Sequence, residues 1–120
     1  MKKKTLVLGA SDNPSRYSYL AIKNLREHGH EVVAIGNKTG QAADVSILKD
    51  HPKIAHLDTV TLYLNANNQK QYYNYILSLQ PKRIIFNPGA ENNELATLAE
   101  KAGIKAQNAC TLVLLATGQY

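Results

Sequence analysis

One cysteine, one phenylalanine and no tryptophan occur in these 120 residues. The lone Cys110 excludes an internal disulfide and any zinc site assembled from several cysteines, and it suits a reducing compartment. Lysines and arginines are spread along the chain with no aromatic-interleaved cluster, so nucleic acid is disfavoured as a partner. Acidic residues are also scarce, 9 against 14 Lys and Arg, and the net charge of +5 points to some anionic partner. No apolar run approaches the roughly 20 residues of a membrane span. Met1-Lys2-Lys3-Lys4 leads into only about six apolar or small residues before Ser11 and Asp12, too few for a signal-peptide core. The expected location is therefore the cytoplasm, without membrane attachment. Linkers, repeats and low-complexity tracts are missing as well. With 44% hydrophobic and 19% charged residues, the expectation is one globular domain over residues 1–120, long enough to bury a core without disulfide or metal.

What is present alternates in a regular way. Residues 5–8 (TLVL) form a continuous apolar run, the pattern of a central strand covered on both faces. Tyr17, Leu20, Ala21, Asn24, Leu25 and His28 then recur at helical spacing, and Gly29 suits the position just past a helix end. Residues 31–35 read as a second buried strand. The stretch 36–43 is rich in turn residues, and 44–48 reads as a short edge strand or a helical turn. Residues 59–64 form a strand, and Tyr72, Tyr75, Ile76 and Leu79 a helical stripe closed by Pro81. A further strand (83–86), a helix through Leu95, Leu98, Ala99 and Ala102 stopped by Gly103, and a last short strand (105–107) follow. This alternation predicts a single doubly wound α/β domain of Rossmann type: a mostly parallel sheet of five or six strands, with helices on both faces.

In such a sheet ligands bind beyond the carboxyl ends of the strands, where the strand order reverses. The loop 9–18, "GASDNPSRYS", leads straight into a helix N-terminus, whose unpaired N–H groups and dipole favour an anion. It is not a G-x-G-x-x-G loop, because Ser11 and Pro14 stand where the second and third glycines belong. Gly9 permits a sharp turn and close approach of a phosphate, Pro14 fixes the loop, and Ser11, Asn13, Ser15 and Ser18 add side-chain donors. The end of the second strand discriminates further. NAD-binding folds place Asp or Glu there for the ribose hydroxyls, whereas this chain has Asn37 and Lys38. A lysine suits a phosphate, which leaves NADP or another phosphorylated adenosine ligand such as coenzyme A.

At this point the residues resemble a family of small coenzyme A-binding proteins, similar to the N-terminal domain of the succinyl-CoA synthetase α subunit. Its pattern G-x-S-x-x-P-x-R-x-S, then G-[HY]-x-V and an asparagine after the second strand, is matched by Gly9, Ser11, Pro14, Arg16, Ser18, Gly29-His30-Glu31-Val32 and Asn37. Later, "FNPGAENNELATLAEKAGI" resembles the family's P-G-x-x-[NE]-E stretch and helix end, and "NAC" its following asparagine and cysteine. The resemblance implies that the loop from Gly9 and Ala10 to Ser18 cradles the coenzyme A phosphates, with Ser11, Ser15, Arg16 and Ser18 as donors. It also implies Asn37 and Lys38 near the adenosine end, and Asn65 with Pro88, Gly89 and Ala90 along the pantetheine path. The family often writes P-V-N-P after the second strand, and Ile35-Gly36-Asn37-Lys38 departs from that.

No catalytic constellation is visible. Tyr19 and Lys23 share the Tyr-x-x-x-Lys spacing of short-chain dehydrogenases but lie on the first helix, where that chemistry does not occur. His28 and His30 lack a third metal ligand. His51 and His56 fall in a surface segment, Tyr72 and Tyr75 belong to the core stripe with Tyr73 at its rim, and Cys110 reads as a small buried hydrophobe. The expectation is a stand-alone module binding coenzyme A or acyl-CoA, with no metal and no activity of its own. Two alternatives stand beside it. One is an NADP-binding redox protein or sensor; the other is a ligand-free interaction subunit, self-associating or joined to a protein partner, whose apolar run 111–116 (TLVLLA) pairs or docks.

Overall fold

The computed structural model describes residues 2–120. Its seven-stranded sheet comprises β1 (Thr5–Leu8), β2 (Val32–Ile35), β3 (Gly40–Ala42), β4 (Val45–Leu48), β5 (Thr59–Leu62), β6 (Arg83–Phe86) and β7 (Lys105–Asn108), in the order β3-β4-β2-β1-β5-β6-β7. All neighbours pair in parallel except β3, which runs antiparallel to β4. Strand order reverses at β1, between β2 on one side and β5 on the other, and this opens the crevice that doubly wound sheets use for ligands.

β1 is central because every one of its residues is apolar or methyl-bearing, and all are fully buried. Its alternation divides the core. Leu6 and Leu8 join Val60, Leu62, Ile84 and Phe86 beneath the helices α3 (Tyr73–Leu79) and α4 (Asn93–Lys101). Val7 faces the other way and joins Ala34, with Ile22 and Leu25 of α1 (Tyr17–Glu27). Each such leucine or isoleucine contributes about 1.5–3 kcal/mol by leaving water.

The sheet has one strand more than the sequence predicts, because residues 40–42 pair with 45–48 as a hairpin. Ala42 lies opposite Val45, so the turn is Ala43-Asp44. Such turns ordinarily advertise themselves with Asn-Gly or Asp-Gly. Here Ala43 takes a φ of 54° without glycine, and Asp44 is held by a bidentate Arg26 guanidinium, Nε at 3.0 Å and Nη2 at 2.9 Å. The same hairpin settles residues 45–48 as a strand. The helical stripe before Pro81 is preceded by a short helix α2 (Ala66–Gln69) and a 3-10 turn (Lys70–Tyr72), and α3 closes with Gln80 in the left-handed region at φ 50°. The run 111–116 folds as a sixth helical segment, α5 (Thr111–Ala116). It buries Thr111, Leu114 and Leu115 within the chain and leaves Val113 exposed.

Candidate functional site

The carboxyl ends of β1, β2, β5 and β6 surround one pocket of about 690 Å³. Gly9, Ala10, Ser11, Asn13, Arg16 and Ser18 line it from the first loop. Asn37 and Lys38 line it from the end of β2, and Asn65 with Pro88, Gly89 and Ala90 from the loops after β5 and β6. Of the residues singled out in the sequence, Pro14 and Ser15 do not reach it. Ser15 is turned back into its own loop, where its N–H and hydroxyl both donate to Asn13 Oδ1, at 3.0 and 2.8 Å. Asn13 N–H donates in turn to Ser11 Oγ at 3.1 Å. The loop is thus braced by its own short polar side chains, and Asn13 Oδ1 is committed there rather than to a ligand.

α1 starts at Tyr17, with Arg16 in the N-cap position and no side-chain cap. The first N–H groups of the helix have no intrahelical partner, and Arg16, Tyr17 and Ser18 at this start all line the pocket, an arrangement that suits an anion. Ser18 is buried beside them; Arg16 and Lys38 are exposed cations at the rim.

Two glycines hold this loop in place. Gly9 has a φ of 86°, and a Cβ there would lie 2.7 Å from the Tyr63 carbonyl oxygen. The glycine is thus required by the close approach of the backbone after β5, and it lines the pocket as well. At Gly36 a Cβ would lie 2.3 Å from the Ala10 carbonyl oxygen. The N–H groups of Gly9 and Ala10 both donate to Ile35 O at 3.0 Å, so the loop is wedged between the ends of β2 and β5.

The opposite wall rests on buried amides. Gln69, fully buried, donates from Nε2 to the carbonyls of Leu64 (2.8 Å) and Ala90 (2.7 Å), and its Oε1 accepts from Asn92 Nδ2 at 2.9 Å. Asn87 Nδ2 donates to Thr61 Oγ1 and Leu62 O, and Asn87 Oδ1 accepts the Thr111 N–H. These bonds fix the 88–90 segment over the sheet. Asn65 accepts the Asn68 N–H at 2.9 Å and so caps α2 while lining the pocket.

Sequence reasoning missed Asp12, Tyr17, Gly36, Tyr63, Leu64 and Tyr72 in the lining. Gly36 carried a signal, as a glycine directly after a buried strand. Tyr72 signalled only core packing, and it is both buried and at the pocket wall. Burial, reinforced by the nearby Cys110, pushes the Tyr63 phenol well above its ordinary range, so it stays neutral. Cys110 is half-buried, in the N-cap position of α5, and neither cysteine nor histidine lines the pocket. His30 accepts the Lys3 N–H at Nδ1 and packs against the Tyr120 ring. His51 stacks on Tyr75. Among the described residues no group of three or more His, Cys, Asp or Glu is placed to hold a metal ion, and no helix is long and apolar enough to cross a membrane.

A doubly wound, mostly parallel sheet with a helix N-terminus and two exposed cations at its switch point defines an α/β domain of Rossmann type. The chain belongs more specifically to the CoA binding domain family, which matches residues 3–116. It is similar to a crystal structure of a protein described as uncharacterized, 49% identical, covering 100% of this chain and 99% of the other at a TM-score of 0.97. A hypothetical protein from Pyrococcus horikoshii OT3 shares the fold at 23% identity and a TM-score of 0.84, over 93% of this chain and 80% of its own. So does a Thermus thermophilus protein at 18% identity and a TM-score of 0.84, over 99% and 91%. No curated protein sequence matches this chain.

Proposed function

We propose that the chain binds coenzyme A or an acyl-CoA in the 690 Å³ pocket and acts as a binding module without catalysis of its own. The observation that carries this reading is the open N-terminus of α1, flanked by Ser11, Ser18 and Arg16 and joined across one pocket to Lys38. The helix N–H groups hold the pyrophosphate, and Lys38 holds the 3′-phosphate. The pantetheine arm runs past Leu64 toward Pro88 and Ala90, where the wall is apolar. No lining residue offers a nucleophile paired with a base, which supports carriage or sensing rather than acyl transfer.

A second reading, an NADP-binding redox protein or sensor, is favoured by the same loop and by Lys38. The third, a ligand-free interaction subunit, loses support because the inner side of the 111–116 run is already buried within the chain.

Thermal melts with coenzyme A, acetyl-CoA, NADP and NAD separate these readings. A ligand at 100 times its Kd stabilises the fold by roughly 2.7 kcal/mol, a Tm rise on the order of 10 °C for a chain of this size. Coenzyme A or its acetyl ester should give that rise; a larger rise with either nicotinamide cofactor overturns the proposal.

A further inference from the structure

The pocket's anion-binding equipment consists of donors and cations, yet one carboxylate, that of Asp12, lines it too. It is the sole acidic side chain in the lining, exposed, and makes no hydrogen bond or ion pair with any other described residue, although Lys38 shares the pocket. Beside a phosphate site an unpaired carboxylate is unfavourable by simple repulsion. Its position is set all the same. The side chain folds over Gly40 at the start of β3, so that a Cβ on residue 40 would lie 2.8 Å from Asp12 Oδ2 and 3.2 Å from its Cγ. A glycine at the first position of a strand thus seats this carboxylate at the β2 side of the pocket, which Asn37 and Lys38 also line.

An ionised carboxylate only accepts hydrogen bonds, so the group it recognises must be a donor. Resting on the coenzyme A reading above, we propose that Asp12 accepts the free ribose 2′-hydroxyl while Lys38 engages the adjoining 3′-phosphate. Asp12 is then the residue that decides which phosphorylated ribose the site admits. Dinucleotide-binding sheets obtain this hydroxyl acceptor from the end of the second strand. Here that position is Asn37-Lys38, and the acceptor arrives from the first loop instead. A ribose carrying a 2′-phosphate, as in NADP, brings its charge onto the carboxylate and is excluded.

Calorimetric titration of the parent, Asp12→Ala, Asp12→Asn and Gly40→Ala with coenzyme A, 4′-phosphopantetheine and NADP tests this. Losing a hydrogen bond to a charged acceptor weakens coenzyme A binding by about tenfold in Asp12→Ala. Asp12→Asn, which keeps an acceptor oxygen, recovers part of the loss. Gly40→Ala keeps the charge but displaces it, and only a flexible side chain has to give way; it should weaken coenzyme A in the same direction. Binding of 4′-phosphopantetheine, which has no ribose, stays at the parental value throughout, and NADP binds Asp12→Ala better than the parent. Unchanged or tighter coenzyme A binding by Asp12→Ala overturns the inference, since the carboxylate then only repels. An equal loss of 4′-phosphopantetheine overturns it too, by making Asp12 a brace of the loop. A parent that binds no coenzyme A sinks the functional reading itself, an outcome distinct from both.

Discussion

Gly36→Ala sets two effects of opposite sign against each other. Gly36 does not have a left-handed φ, so an alanine there restricts the unfolded chain and should stabilise by about 0.4–1 kcal/mol. The folded protein opposes this, because the new Cβ would sit 2.3 Å from the Ala10 carbonyl oxygen and 3.2 Å from Ile47 Cγ2. Bringing the first contact out to even 3.0 Å moves Ala10 by about 0.7 Å. Ala10 is backbone in a braced loop, and that shift strains the two 3.0 Å bonds from Gly9 and Ala10 to Ile35 O. Overpacking of this kind costs about 1–3 kcal/mol, so the clash wins, with a net loss of about 1–2 kcal/mol and a Tm lower by roughly 4–8 °C. Because the same carbonyl belongs to the loop that opens the α1 N-terminus, coenzyme A binding should weaken by about tenfold, measured by calorimetry on the folded variant. Gly103→Ala, outside the pocket, is the control: a Cβ there meets nothing within 4 Å, only the cost of φ 80° remains, on the order of 1–2 kcal/mol, and coenzyme A binding should stay at the parental value. A Gly36→Ala protein that melts at or above the parent and binds as tightly would refute the close loop crossing.

Three further outcomes are expected. Dephospho-coenzyme A should bind the parent up to about thirtyfold more weakly than coenzyme A, and Lys38→Ala should erase that gap; an undiminished gap removes Lys38 from the site. Asn87→Leu breaks the bonds to Thr61, Leu62 and Thr111 and strands their buried groups, so it should cost roughly 2–4 kcal/mol in urea melts, and a loss under 1 kcal/mol contradicts the network. Burial, with Lys2, His28 and Lys3 adding to it, holds His30 below its ordinary pKa. The unfolded imidazole therefore takes up its proton from about pH 6.5 downward while the folded one is still neutral, and stability should fall as the pH drops below that value. The loss continues until the folded group's own lower pKa is passed, and His30→Gln should flatten this slope if His30 causes it.

The strands that sequence periodicity reveals are those where burial is uniform. β1 and β6 are apolar throughout, or nearly so, and the chain leaves α1, just past the C-cap His28, through Gly29, whose φ of 82° no other residue type adopts as readily. The hairpin of β3 and β4 was illegible as a pair because its turn is Ala43-Asp44, whose shape depends on a guanidinium 18 positions earlier in the chain. A six-residue apolar run such as 111–116 serves a buried strand and a short helix equally well, and its Thr61–Thr111 and Asn87–Thr111 bonds, which fix the helix start, are long-range. At the site, the glycine and serines of the first loop were legible because local chain chemistry demands them. Gln69, Asn87 and Asn92 carry no local signal, and only tertiary contact makes them the frame of the far wall. Asp12 next to Gly40 has the same origin: the first loop meets the start of β3, 28 residues further along the chain.

The most direct measurement is amide chemical-shift mapping of the intact protein during titration with coenzyme A. Binding in the proposed pocket should shift the N–H signals of residues 9–19, 36–40 and 89–91 in one saturable process, with Tyr17, Ser18 and Tyr19 among the largest, and leave the amino ends of β5 and β6 unmoved. Shifts concentrated outside these loops, or no shifts with coenzyme A alongside saturation by NADP, contradict the assignment.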